Sequence, residues 1–417
     1  MPLKHPLSAI NVVKEFNWQI EHNCPQCGAP VILDETDRLL TCPYCRTRLY
    51  LATTGYFQYH LPLPEATSRE VIYIPYWRLK GLFLSVQDRE ISSRFVDTSL
   101  LALTSGVFPL SLGLKPQVLK LKFVLPEIRG QFIAPYLPVP EVINSFQRRA
   151  ASSFHQAFIG EVVSLIYSPV YIENDNLYDA LLRRPVAPWK REDMDLPVSS
   201  PGQWGLQFIP TLCPRCGWDL EGEKTSLVLL CRNCNSAWNC PTTAFEPLSF
   251  TVMEPGANGP LYYLPFWRLK VAIGGIKLTS YADLIRLGNL PRAITDACEE
   301  KAFYFWSPAF KVNPTLFLRW ARQMTVFQPE GRVNETLPQE FYPVTLPAQE
   351  ALETVKITMA SIIADKRVIS PLLPKIQTRL EESHLVYHPF TIGHHELIHT
   401  YIGMGIDKKA LTYGIGL

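Results

Sequence analysis

Cys24-Pro-Gln-Cys27, followed by Cys42-Pro-Tyr-Cys45, decides how this chain is read, because the same arrangement returns at Cys213-Pro-Arg-Cys216 and Cys231-Arg-Asn-Cys234. Each quartet is spelled C-x2-C-x14-C-x2-C. A C-x2-C pair puts two thiolates on one tight turn facing a single point, and two pairs complete a tetrahedron of soft donors. The spacing therefore predicts two metal centres, one on Cys24, Cys27, Cys42 and Cys45 and the other on Cys213, Cys216, Cys231 and Cys234. Two structural Zn²⁺ ions are expected, since a small ribbon has little apolar interior and uses the ion in its place. Iron in a rubredoxin-like site is the rival. Gly28 and Gly217 directly follow the first pair of each quartet, where a positive φ is often required.

Working outward, Tyr73-Ile-Pro-Tyr-Trp-Arg-Leu-Lys80 follows the first quartet, and Tyr263-Leu-Pro-Phe-Trp-Arg-Leu-Lys270 follows the second. Cys24 and Cys213 are 189 positions apart and Trp77 and Trp267 are 190 apart, so the internal similarity extends beyond the cysteines. Pro140 opens a stretch with Val142, Ile143, Phe146, Ala150 and Phe154 at helical spacing. Asn313 and Pro314, a cap and a first-turn proline, open another with Leu316, Phe317, Trp320 and Met324. Matching these two helices gives an offset of 174. Each half then ends in a hairpin, Leu165–Ile172 turning at Glu173-Asn-Asp-Asn176 and Leu385–Ile392 turning at Gly393-His-His395, at an offset of 220. The difference of 46 implies an insertion at about 329–383, with Leu352, Val355, Met359, Ile362 and Ile363 on one helical face. That face either packs between the halves or docks a partner.

The fold class expected is α+β, in two tandem repeats, each a zinc ribbon followed by a β-rich domain with one main amphipathic helix. The boundaries are a lead-in at 1–20, a ribbon at 21–56, a domain at 57–181, a linker at 182–206, a second ribbon at 207–245 and a second domain at 246–417. In the lead-in, Ile10, Val12, Val13, Phe16 and Trp18 form an apolar cluster expected to pack on the first module. The linker holds Pro185, Pro188, Pro197 and Pro201 among mixed charges and reads as a loosely packed crossing segment.

Composition narrows the function classes. Forty Lys and Arg against 38 Asp and Glu argue against bulk polyanion binding. With 36 prolines and 12% aromatic residues, short strands and structured loops are favoured over helical bundles. The start lacks the pattern of a secretory signal. The longest uncharged run, Thr98 to Leu114, spans 17 positions and is broken by Gly106, Pro109 and Gly113, so no membrane span is expected. Cysteines paired for metal fit a reducing compartment, and the expected location is cytoplasmic.

Two further patterns carry possible chemistry. On a strand, Trp77 and Arg78, with their counterparts Trp267 and Arg268, would form an aromatic and basic strip suited to stacking bases and holding phosphates. The plainer reading has the tryptophans in the core and the arginines as solvated edge charges, and the balanced net charge favours it. His395-Glu-Leu-Ile-His399 spells the H-E-x-x-H of zinc peptidases, which needs a helix to bring both imidazoles to one ion. Pro389 and Gly393 disfavour that helix, and on a strand Glu396 points away from both histidines. Cys240 and Cys298 stand outside the quartets and read as buried free thiols.

The CPxCG knuckle, the second C-x2-C pair and the downstream Pro75-Tyr-Trp77 strand resemble a group of bacterial proteins with a zinc ribbon of the TFIIB or rubredoxin-like type and a β-rich remainder. That resemblance implies the ribbon fold and, by analogy, nucleic-acid binding. The residues themselves favour a non-enzymatic adaptor or scaffold presenting metal-stapled surfaces to protein partners. A nucleic-acid-binding ribbon protein and a metallopeptidase at His395 are the alternatives.

Overall fold

The computed structural model describes residues 17–63, 69–87, 90–113, 115–148, 155–189, 197–199, 205–256 and 259–414. Ile10, Val12, Val13 and Phe16 of the expected lead-in cluster lie outside these residues, whereas Trp18 is buried. Among the described residues the chain is a strand-rich α/β protein carrying two long antiparallel ladders.

The aliphatic and aromatic run Ile72–Val86 is buried at almost every position, as expected of a strand covered on both faces. It pairs antiparallel with Ile91–Leu101 on one edge and with His155–Glu173 on the other. Its first sheet continues from His155–Glu173 to Phe57–His60 in parallel, then to Leu121–Phe123 antiparallel. The second sheet is ordered Phe305–Pro308, Leu261–Gly274, Gln377–Ile392, Phe250–Met253, Val333–Asn334. Its directions run the same way: antiparallel, antiparallel, parallel, antiparallel.

Agreement between the two ladders reaches the register. Trp77 stands opposite Leu165, and Trp267 stands opposite Leu385. Both ladders skip one residue on the returning strand, Glu161 beside Lys80 and Glu381 beside Lys270. Pro75 and Pro265, which have no N–H to give, sit just past the last pair with the flanking strand. Their carbonyls accept instead from Ala102 N and Ala309 N, each at 3.0 Å. The predicted hairpins form as expected. Asn174 and Asp175 take positive φ at the first turn, and Ile172 pairs with Leu177 as Ile392 pairs with Leu397.

The helix expected behind Asn313 forms over Pro314–Phe327, with the Asn313 side chain accepting from Leu316 N. Its match to the helix at Pro140 needs correction. Leu137 N bonds to Ala102 O and Pro138 then leads into Val139–Arg148, while Leu346 N bonds to Ala309 O and Pro347 leads into Ala348–Glu353. Ala348–Glu353 thus occupies the position of Val139–Arg148. Pro314–Phe327 falls instead where the first half has the short helix Lys115–Val118. The offset therefore rises from 190 at the tryptophans to 207 at Ala102 and Ala309, 209 at Leu137 and Leu346, and 220 at the final ladder. The extra length is distributed, not one block at about 329–383. A proline-led helix start is a generic signal, so Pro140 and Pro314 share it without opening equivalent helices.

The apolar stripe expected over Leu352, Val355, Met359, Ile362 and Ile363 falls on two helices broken at Thr354, and the second, Val355–Ile362, is buried on nearly all sides. It shares one core with Leu84, Val86, Ala157 and Ile159 of the first half, so it packs between the halves. The expected linker is also woven in. Arg184–Pro188 pairs with Asn176–Asp179, and Val198–Ser199 pairs with Gln131–Ile133, while 190–196 and 200–204 lie outside the described residues.

Candidate metal centres

Each C-x2-C pair sits at the tip of a β-turn structure. Cys24 and Cys27 lie between the paired strands Gln19–Asn23 and Pro30–Asp34, and Cys42 and Cys45 lie between Leu39–Thr41 and Arg48–Ala52. In the second ribbon, the Leu212 to Asp219 bridge flanks one pair and the Val228–Cys231 and Ser236–Asn239 strands carry the other. The turns close by backbone bonds from Gly28 N to Cys24 O and from Gly217 N to Cys213 O, both 2.8 Å. Both glycines hold φ at +72°, a conformation that costs other residues energy. At the second pair of each quartet the left-handed residue is Arg46 or Asn235, with φ of 62° and 49°.

These turns bring the sulfurs together. Cys24 and Cys45 Sγ are 3.7 Å apart, as are Cys27 and Cys42, while Cys213 to Cys234 is 3.6 Å and Cys216 to Cys231 is 3.5 Å. Within each quartet all four sulfurs lie within 4.8 Å of one another. Four thiolates placed about 2.3 Å from a central ion at tetrahedral angles would stand about 3.8 Å apart. A disulfide would bring a pair to about 2.05 Å. The donor set therefore fits one tetrahedral ion per quartet. The first cysteine of each pair is buried, and Cys27 and Cys216 are exposed. Two positions after the last cysteine, a hydroxyl reaches back to its sulfur: Thr47 Oγ1 to Cys45 at 3.3 Å and Ser236 Oγ to Cys234 at 3.0 Å. Ser236 also accepts from Trp238 Nε1 at 2.8 Å, so the outer hydrogen bonds orient a ligand sulfur in the way metal sites require.

The two ribbons dock on each other. Gln207–Pro210 adds to the first ribbon's sheet beside Arg48–Ala52, and Arg38 N and Leu39 N both donate to Lys224 O, at 2.6 and 2.9 Å. Leu39 and Tyr50 share a core with Cys213, Leu220, Cys231 and Trp238.

The expected Trp-Arg strip is not a surface. Trp77 and Trp267 are buried, and their indole N–H groups donate to Leu137 O at 2.7 Å and Leu346 O at 2.8 Å. Arg78 has 0% exposure, so it is neither a phosphate contact nor the solvated edge charge of the plainer reading. Its guanidinium bonds both carboxylate oxygens of Glu35 and Asp97 Oδ1, and stacks on Trp18 at 3.8 Å. Arg268 is half-buried over the Tyr304 ring at 4.8 Å. Glu35 gave no sequence signal, because an acid in a charged turn is ordinarily solvated.

The H-E-x-x-H segment is extended. Glu396–His399 is a strand paired with Phe390–Ile392, which removes the helical geometry of a peptidase site. His395 is exposed beside His394, whereas His399 is buried and its Nδ1 accepts from Tyr401 N and Ile402 N, at 3.1 and 3.2 Å. His399 therefore carries its proton on Nε2, which lies 3.1 Å from Nδ1 of the buried His388. Burial pushes His399 down to about 4, and burial with the neighbouring His399 and Arg268 holds His388 well below its ordinary value. Both are core histidines. Cys240 and Cys298 are half-buried and lie outside the sulfur clusters, and burial pushes the Cys240 thiol up to about 11.

No helix among the described residues is long and apolar enough to cross a membrane. No family model, no curated protein and no solved structure matches the chain.

Proposed function

We propose that the protein is a tandem-duplicated, zinc-stapled adaptor of the cytoplasm that presents rigid ribbon surfaces to protein partners. Duplication is supported by the common strand order, the common ladder register and the matched indole-to-carbonyl bonds of Trp77 and Trp267. Zinc is the ion of choice because it prefers tetrahedral thiolates without redox chemistry.

The observation that carries the adaptor reading is the placement of two large aromatics on the metal knuckles. Tyr44, inside Cys42-Pro-Tyr-Cys45, is 66% exposed, and Trp218, just after Gly217, is 61% exposed. Exposed aromatics held on a stiff turn lose little entropy on contact and are the residue types that anchor protein interfaces. Duplicated groups here are structural ones, thiolates and core tryptophans, and the sequence's enzymatic spelling is spent on a strand and a buried histidine pair.

The test is crosslinking and affinity capture from native cells, with and without nuclease, using the wild-type chain and a Tyr44→Ala, Trp218→Ala variant. Recovery of the same protein by wild type and its loss in the variant, with metal content unchanged, supports the reading. Capture that depends on intact nucleic acid, or turnover of a substrate by the purified chain, overturns it.

A further inference from the structure

Where the two ribbons meet the two sheets lies a cavity of about 450 Å³, within the usual range for small-molecule sites. Its wall is drawn from every part of the chain: Arg38 from the first ribbon, Phe57 from the first sheet, Thr225 and Asn239 from the second ribbon, and Lys311 and Glu350 from the second half. Three residues of this wall each carry a side-chain oxygen, Thr225 Oγ1, Asn239 Oδ1 and Glu350 Oε2, that is buried without a hydrogen-bond partner among the described residues. Leaving such atoms unpaired is costly, so their clustering around one cavity calls for a group that brings donors. The same wall carries two cations. Lys311 Nζ donates to Gly160 O at 2.6 Å, and the Arg38 guanidinium stands 4.9 Å over the Phe57 ring. Burial pushes the Glu350 carboxyl up, and Lys311, a backbone hydrogen bond at Gly160 and Arg38 pull it back toward ionisation.

An ammonium offers three N–H donors and no acceptor, whereas a carboxylate accepts from guanidinium and ammonium groups with charge-assisted bonds. We propose that this cleft binds a free α-amino acid, its ammonium on the oxygens of Thr225, Asn239 and Glu350 and its carboxylate at Arg38 and Lys311. Phe57 and the apolar remainder of the wall, such as Leu227, receive its side chain. Because the wall spans both halves, the bound molecule would tie them together and raise the melting temperature with the logarithm of its concentration over Kd.

The test uses the full-length, metal-loaded protein and isothermal titration with each of the twenty standard amino acids. The tightest binder is then compared with its des-amino acid and its decarboxylated amine. Expected are a Kd below about 1 mM for at least one amino acid and a loss of about tenfold or more for each truncated form, the worth of one good polar contact. Glu350→Gln should weaken the amino acid about tenfold and leave the des-amino acid unchanged. Should Glu350→Gln fail to melt cooperatively, Thr225→Val is read the same way. The proposal is overturned if none of the twenty binds, if the des-amino acid binds equally well, or if the folded variant binds the amino acid as wild type does; ordered water then satisfies the three oxygens.

Discussion

Arg78, at the centre of the first long strand, and Glu35, in the turn of the first metal ribbon, form a fully buried bidentate pair, with N–O distances of 2.9 and 3.1 Å and side-chain exposures of 0% and 1%. The pair fastens the ribbon to the sheet. Among the described residues the second half has no equivalent: Lys224 stands 189 positions after Glu35, and Arg268 leans on Tyr304. Lys224 instead offers its carbonyl to the first ribbon, so the two ribbons are held by different means.

Removing Glu35 leaves the buried Arg78 guanidinium only the part-exposed Asp97 carboxylate as an anionic partner, at a cost of up to about 3–5 kcal/mol, whereas replacing both members of the pair with apolar side chains is far milder. Glu35→Ala should therefore lower unfolding free energy by roughly that amount, measured by urea denaturation at fixed metal, and Glu35→Leu with Arg78→Met should recover most of it. A Glu35→Ala variant as stable as wild type would show that the pair does not hold the ribbon.

The two indole bonds give a test of equivalence between the halves. Trp77→Phe and Trp267→Phe each leave a carbonyl, Leu137 O or Leu346 O, without its donor. Each should cost about 1–3 kcal/mol by denaturant titration, and the two should add, because they lie in separate cores. A large effect for one and none for the other would contradict the matched role.

Acid should destabilise the protein through its buried histidines. Burial pushes His60, His155 and His399 down to about 4 and His388 well below its ordinary value of 6.5. The unfolded chain then binds protons that the folded chain refuses, so stability is full above about 6.5 and falls as pH drops toward 4. Between pH 6.5 and 5, where unfolded carboxylates remain largely ionised, each of these groups contributes a slope approaching about 1.4 kcal/mol per pH unit. Denaturant midpoints across this window should fall steadily, and His399→Leu should flatten the curve. A stability independent of pH there would show that the histidines are not neutral in the core.

Ligand geometry was legible from spacing alone, because Cys24 to Cys45 and Cys213 to Cys234 are local motifs in which sequence separation fixes the turn. The final hairpins were legible for a similar reason, an alternating apolar run ending in a polar turn at Asn174 and at His394. Correspondence of the helices was not, since Pro140 and Pro314 carry the same start signal while only long-range bonds, Ala102 to Pro75 and Ala309 to Pro265, reveal which helix follows which contact. The burial of Arg78 was hidden as well. Its partner Glu35 is 43 residues away, and nothing local distinguishes a paired core arginine from a solvated one. The cleft is illegible in the same way, assembled as it is from Arg38, Asn239 and Glu350.

The most direct measurement is elemental analysis of the purified chain together with X-ray absorption at the metal edge. Two zinc ions per chain, each with four sulfur neighbours at about 2.3 Å, are expected, falling to one ion in either Cys42→Ser or Cys231→Ser. Fewer than two ions in the wild type, disulfide-linked quartets, or nitrogen and oxygen in place of sulfur at the metal would contradict the account.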